Sequence, residues 1–382
     1  MIKAALIAGE ASGDLLAGLL LDGLHSQWPD LTAVGIGGAQ MAQRGLTAWW
    51  PSDKLSVSGF GWDLIKRYPE ITGIRRQIKD RLLHDRPDVF IGVDAPDFNL
   101  DLEAALRAKG IKTVHFVCPS VWAWRPERLE HICRSADHVL CIFPFEPALL
   151  SQHGIASTYV GHPLASVIPM QPDRTAARRS LGLDPQQSVV ALLPGSRAAE
   201  ISHLALPFFQ AAARVQQALP ATKFVLPAVP LYLPQIEAAA RASGLAGHWQ
   251  IVKGQSHTVL AACDVALVAS GTATLETALF KRPMVIAYRM GGLSWQIMRR
   301  KKLQPWVGLP NILCRDFVVP ELIQEAATPL ALATEVLNWL DATTHQPDKI
   351  AAIEQRFTAL HKELLRPTPQ LAAHAIAQIL SS

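Results

Sequence analysis

Cysteine is scarce and unpatterned. The five residues (Cys118, Cys133, Cys141, Cys263, Cys314) are odd in number, scattered and without a C-x-x-C pair. That spacing indicates neither a disulfide framework nor a zinc site and fits a reducing compartment. Long apolar runs are missing as well: no window approaches the eighteen or so uninterrupted apolar residues of a membrane span, so a soluble or peripheral protein is expected. The opening Met1-Ile-Lys-Ala-Ala-Leu-Ile-Ala8 is too short and wrongly flanked for a signal peptide. There is no excess of one charge, with 36 Lys and Arg against 32 Asp and Glu. A net +4 permits an anionic ligand or membrane surface and demands neither. No nucleic-acid partner is expected. No G-x-G-x-x-G motif follows the first strand and no acidic residue ends the second, so a dinucleotide site is weakly supported.

What the chain does have is apolar bulk. At 382 residues, 49% hydrophobic and 18% charged, it is long for one core, comfortable for two domains and far from the composition of disorder. Short apolar runs read as strands over 2–8, 32–36, 88–93, 112–117, 137–143 and 157–160, with helical periodicity between them. Three prolines between Pro163 and Pro172 then mark a boundary. The alternation restarts with strands over 189–193, 223–226, 250–252, 265–268 and 283–287, and the tail from about Asp348 reads as helices. Strand and helix in alternation predict parallel sheets, hence two doubly wound α/β domains facing across a cleft. Within the first half, the helix from Trp62 to Leu83 places Ile71, Ile74, Ile78 and Leu82 on one face. It is either a basic amphipathic surface for a bilayer or an ordinary surface helix, the second being favoured.

Ser188-Val-Val-Ala-Leu-Leu-Pro-Gly-Ser-Arg-Ala-Ala-Glu-Ile201 is a strand, a tight glycine turn and a helix start. Free amides at such a turn suit a diphosphate, and Arg197 adds a five-donor cation. A second turn, Ala269-Ser-Gly-Thr-Ala-Thr-Leu-Glu276, follows the strand 265–268. Ser270, Gly271 and Thr272 can hold a phosphate there, and Glu276 can bind a ribose diol. In the first half, Asp94-Ala-Pro-Asp-Phe-Asn99 stands at the carboxyl end of a strand, where open α/β sheets bind ligands. One aspartate, Asp97 by position, caps the next helix; the other is a candidate general base. Cys118-Pro-Ser-Val-Trp-Ala-Trp-Arg125 brings Trp122, Trp124 and Arg125 into a loop that either lines a sugar or phosphate pocket or packs a domain edge. Gly35-Ile-Gly-Gly38 admits another backbone or a ligand, His162 reads as structural, and Leu309-Pro-Asn311 is a loop that can return to the cleft. Arg299-Arg-Lys-Lys302, beside apolar residues and Trp306, is either a lipid-phosphate patch or a solvated helix end.

Taken together these segments resemble the lipid-A-disaccharide synthases, glycosyltransferases of the two-Rossmann-domain (GT-B) type. The matching stretches are Ala8-Gly-Glu-Ala-Ser-Gly-Asp14, Pro87 to Asn99, Pro119 to Arg125, Tyr159-Val-Gly-His162, Leu192 to Arg197, Ala269-Ser-Gly-Thr272 with Glu276, Tyr288-Arg-Met290 and Leu309-Pro-Asn311. The resemblance implies transfer of a diacylated glucosamine from UDP-2,3-diacylglucosamine to the 6-hydroxyl of 2,3-diacylglucosamine 1-phosphate (lipid X). The products are the β-1,6 disaccharide 1-phosphate of lipid A and UDP, with inversion at the anomeric carbon. It implies Asp94 as catalytic base, and Gly195, Ser196, Arg197, Ser270, Gly271, Thr272, Glu276 and Asn311 around the UDP-sugar. Ser12, Gly13, Trp122 and Arg125 are the acceptor-side candidates. No cofactor or metal is expected, since no D-x-D motif is present, although Asp94-x-x-Asp97 qualifies that. The implied domains are 1–165, completed by 348–382, and 166–347. The implied place is the cytoplasmic face of the inner membrane, held peripherally, and a homodimer is left open. Another UDP-N-acetylglucosamine-using GT-B enzyme, a wall-synthesis transferase or an epimerase, would use the same Arg197 and Glu276 turns without an acyl-binding surface. A nicotinamide oxidoreductase lacks its glycine motif here, and a non-enzymatic membrane scaffold would have no need of Asp94.

Overall fold

Continuous runs of Val, Ile, Leu and Ala with no polar alternation are the pattern of parallel strands covered on both faces. A computed structural model of the chain bears this out, describing residues 2–9, 11–51, 62–123, 125–245, 247, 249–301 and 303–381; at 11, 12, 51, 62–69, 71, 293, 294 and 297 it describes the backbone alone. The expectations for Trp124 and Lys302, and for the side chains of Ser12 and Ile71, therefore lie outside the described residues.

In the first unit the strands are β1 (Lys3–Ala8), β2 (Thr32–Gly37), β3 (Leu46–Pro51), β4 (Val89–Val93), β5 (Lys112–Phe116), β6 (His138–Cys141) and β7 (Ser157–Tyr159), in the order β3-β2-β1-β4-β5-β6-β7. In the second they are β8 (Val189–Leu193), β9 (Lys223–Ala228), β10 (Trp249–Lys253), β11 (Val265–Ala269), β12 (Met284–Tyr288) and β13 (Glu321–Ile323), in the order β10-β9-β8-β11-β12-β13. Every pairing is parallel. Both are Rossmann-like, doubly wound sheets. Neither β3 nor β13 is in the sequence reading; both are edge strands, one ending on Pro51 and the other three residues long behind Pro320.

The chain divides at Ser166 and Val167 and returns to the first unit at Glu363, where the sequence put these points at 166 and 348. The difference lies in the helix Pro347–Leu364. Its residues Phe357 and Leu360 are buried, His361 Nδ1 lies 2.7 Å from Lys281 Nζ, and Arg356 pairs with Asp316 at 2.9 Å. These contacts keep 347–362 with the second unit. The last helix, Thr368–Ser381, packs on the first helix, Ala11–Gln27, in the first unit. A Cβ at Gly23 would stand 2.1 Å from the Pro369 carbonyl oxygen. Gly23→Ala is therefore expected to lift this terminal helix and cost ~1–3 kcal/mol, as overpacking does, read as a lowered thermal midpoint.

In the helix Trp62–Asp85, Ile74, Ile78 and Leu82 are buried in a core with Ile7, Val34, Phe90 and Leu102. Its apolar face from Ile74 onward is spent on the protein, which removes the bilayer alternative for that part. The Gly35 to Gly38 glycines likewise admit protein: a Cβ at Gly35 would fall 1.9 Å from Leu6 O, and one at Gly37 2.4 Å from Met41 Sδ.

Candidate active site

In a doubly wound sheet the connections leave opposite sides of two neighbouring central strands, and the crevice opens beyond their carboxyl ends. In the first unit these strands are β1 and β4. The helix that follows β1, Ala11–Gln27, carries Gly13 in its first turn, where a Cβ would sit 3.5 Å from Ala8 Cβ and 3.6 Å from Val93 O. Asp94 is the next residue after Val93, half-buried, with its amide donating to Phe116 O at 2.8 Å. Gly13 and Asp94 are thus neighbours at the strand ends. Asp14, in the same motif, is structural: its carboxylate accepts from the amides of Gly38, Gln40 and Met41 at 2.7–3.1 Å.

Two acceptor-side expectations change. Asp97 does not cap its helix; Ala95 holds the N-cap without a side-chain bond, and Asp97, 84% exposed, pairs with Arg128 and, at 3.9 Å, with Arg125. Trp122 packs into the protein, the second of the two alternatives for its loop. It is buried, stacked edge-on to Phe143 and Phe145, and its indole donates to Glu146 Oε1 at 3.1 Å. Glu146 also accepts from the amides of Ile142 and Phe143, and burial pushes its carboxyl up to about 8. His162 is buried too, and burial pushes its imidazole down to about 4. Its Nδ1 accepts from Leu164 N at 3.2 Å, a bond only an unprotonated nitrogen can make. Because the folded pKa lies below the ordinary ~6.5, this term is present above pH ~6.5 and lost as pH falls toward 4, with a ceiling near 3 kcal/mol. Thermal midpoints from pH 8 to 4.5 should fall more steeply for wild type than for His162→Gln.

In the second unit β8 and β11 are the central neighbours, so the Pro194–Arg197 and Ser270–Thr272 turns come side by side. Between them lies a cavity of about 350 Å³, walled by Gly195, Ser196, Arg197, Ser270, Gly271, Thr272 and Glu276, with Val229, Pro230 and Gly254 beyond. Gly195 and Gly271, at φ 124° and 155°, take backbone conformations that L side chains rarely adopt. Thr272 opens the helix Thr272–Leu279 on the cavity, and Thr272 and Ala273 line it; Thr274 N already donates to Gly271 O at 3.1 Å, which leaves the Thr272 and Ala273 amides as the open ones of the first turn. Glu276 pairs with His257 at 3.5 Å.

The sequence profile of the lipid-A-disaccharide synthetase family matches residues 4–376. The chain belongs to that family. It is 73% identical over 379 residues to the lipid-A-disaccharide synthase of Albidiferax ferrireducens, covering 99% of this chain and 97% of that one. To the synthase of Bordetella pertussis it is 49% identical over 391 residues, covering 99% and 98%. Solved structures resemble it in fold. A Neisseria meningitidis UDP-GlcNAc 2-epimerase bound to UDP-GlcNAc superposes with a TM-score of 0.63 at 11% identity, over 100% of this chain and 99% of that one. The MurG of Acinetobacter baumannii does so at 0.57 and 13%, over 100% of each. At such identities the likeness is of fold alone, the GT-B fold of two Rossmann-like domains.

Within this synthetase, two donor-side expectations are revised. The Ser196 amide does not stand open for an anion: Ser196 N and Arg197 N donate to Glu200 Oε2 at 2.9 and 3.3 Å, and Arg197 Nη1 lies 3.4 Å from Glu200 Oε1. Glu200, which the sequence reading did not single out, thus seats its carboxylate on the turn. A Glu in the first turn of a helix was the available signal. Asn311 does not reach into the cavity. It is fully buried, donating to Val319 O and Glu321 Oε1 and accepting from Val319 N. Its influence runs through Glu321, which accepts from the amides of Val307 and Gly308 at 2.9 Å, and Val307 O accepts from Ser270 Oγ at 3.2 Å. Asn311 supports the Ser270 turn from behind. Among the described residues no group of three or more His, Cys, Asp or Glu could hold a metal ion.

Proposed function

We propose that the synthetase joins the diacylglucosamine of UDP-2,3-diacylglucosamine to the 6-hydroxyl of 2,3-diacylglucosamine 1-phosphate. Asp94 takes the hydroxyl proton as the oxygen attacks the anomeric carbon from the face opposite UDP. The carbon–oxygen bond to the diphosphate breaks and UDP leaves with the electron pair. Arg197 and the amides opening the Thr272 helix balance the charge that grows on the leaving group, and Glu276 takes the ribose hydroxyls. The observation that carries this reading is the second unit's cavity. It places a cation, a helix N-terminus and a carboxylate around a space of about 350 Å³ in a chain of this family.

The acceptor phosphate falls to Arg125, with Arg128 beside it; both pair with Asp97 in this structure. Arg125→Ala should raise the acceptor KM far more than the donor KM, measured with each lipid varied in turn. Among the described residues no helix is long and apolar enough to cross a membrane. Exposed Leu303, two residues after exposed Arg299, Arg300 and Lys301 in the chain, suits a peripheral contact with anionic lipid on the cytoplasmic face of the inner membrane. Val229 and Leu231 stand exposed beside the cavity, where the donor's acyl chains would need apolar surface. The reading is tested by isolating the lipid product of the two substrates and measuring the coupling of its new anomeric proton. A β-linked disaccharide is expected; an α linkage, or a freed monosaccharide, would overturn it.

A further inference from the structure

Asp94 and Ala95 both take left-handed backbone, at φ 52° and 44°, and neither is glycine. Two successive residues in that region are strained, and such strain persists only where surrounding bonds hold it. One such bond runs from Asp94 N to Phe116 O. The other comes from Asn99, one helical turn on, whose Nδ2 donates to Asp94 O at 2.8 Å. The same nitrogen lies 3.5 Å from Ile7 O and from Val93 O, so three carbonyls converge on it and only the amide nitrogen can face them.

Asn99 is fully buried, and its Oδ1 has no hydrogen-bond partner among the described residues. One turn behind it, Glu103 and His115 form a 2.7 Å bond with both side chains wholly buried, and Glu103 Oε2 and His115 Nε2 likewise have no partner among the described residues. Gly92 makes the room: a Cβ there would fall 2.1 Å from Glu103 Oε1 and 2.8 Å from Asn99 Cβ. Burying polar atoms with unmet bonds costs stability, and an apolar side chain of similar volume would avoid that cost. Packing alone therefore does not account for an asparagine here. Its one short bond goes to the backbone of Asp94.

We propose that Asn99 is a positioning residue for Asp94. Through the Asp94 carbonyl it locks the left-handed turn that sets where the carboxylate points, while Gly92 gives it space and the Glu103–His115 bond fixes its helix against β5. This rests on Asp94 being the base. A general base must sit within hydrogen-bond reach of the proton it takes, so a turn that wanders costs rate without costing substrate affinity.

The test uses the full-length enzyme with Asn99→Asp, which keeps the shape and removes the donor, and Asn99→Ala, which removes the unmet oxygen as well. Each is made alone and together with Asp94→Asn, and kcat, both KM values and the thermal midpoint are measured. Alone, each should lower kcat roughly 10- to 100-fold with both KM values little changed. Combined with Asp94→Asn, each should lower the residual kcat hardly at all, because no base is left to aim. An unchanged kcat, or the same loss in both backgrounds, would overturn the positioning role. If Asn99→Asp does not fold, Asn99→Ala carries both comparisons, since it buries no new charge. Asp94→Asn retaining full activity would instead sink the base assignment, an outcome distinct from a silent Asn99.

Discussion

Asp94→Asn is expected to lower kcat by ~10²- to 10⁴-fold, the range for a lost general base, while UDP binding by titration calorimetry stays at the wild-type value. Asparagine is the right replacement because it tolerates the left-handed φ of 52° at this position. It also keeps the backbone carbonyl that Asn99 bonds. Alanine there would mix lost chemistry with added strain. UDP should be indifferent to the change because the cavity assigned to it is lined entirely by residues of the second unit. A drop in UDP affinity matching the drop in kcat would mean that Asp94 serves the donor and not the attacking hydroxyl.

Arg197→Ala should cut kcat by ~10²- to 10³-fold, the loss seen when one group that stabilises developing charge is removed. Unlike the Asp94 change it should also weaken UDP, because the diphosphate is already charged before transfer. Arg197→Lys should recover part of the UDP affinity and little of the rate, since an ammonium supplies charge without the planar fork. The side chain is 60% exposed and lies beside the Glu200 carboxylate, so it can reach toward a ligand without unfolding its helix. Steady-state kinetics and UDP titration on the three proteins separate these outcomes. Equal losses for alanine and lysine in both measurements would point to a fold defect at the turn.

The central strands and both glycine turns could be read from the sequence for a common reason. A parallel strand buried on both faces is an unbroken apolar run, and the residues at its carboxyl end follow it directly in the chain. Asp94, Arg197 and Ser270 to Thr272 were legible because each sits one to four residues beyond such a run. Side-chain direction was not legible in the same way. Trp122 looked like a pocket wall, but the carboxylate that receives its indole N–H is Glu146, 24 positions on. Asn311 looked like a ligand contact, yet it faces Glu321 across a loop, and nothing in its spacing distinguishes the two. Two of the four edge strands, β3 and β13, escaped, each short of buried residues and carrying proline at or beside an end, while β7 and β10 were legible.

The most direct measurement of the account is UDP release by the purified full-length protein, in EDTA, with UDP-2,3-diacylglucosamine alone, with 2,3-diacylglucosamine 1-phosphate alone, and with both. Release is expected only when both lipids are present, one UDP for each disaccharide formed. Equal release without the acceptor lipid, or none with both, would contradict it.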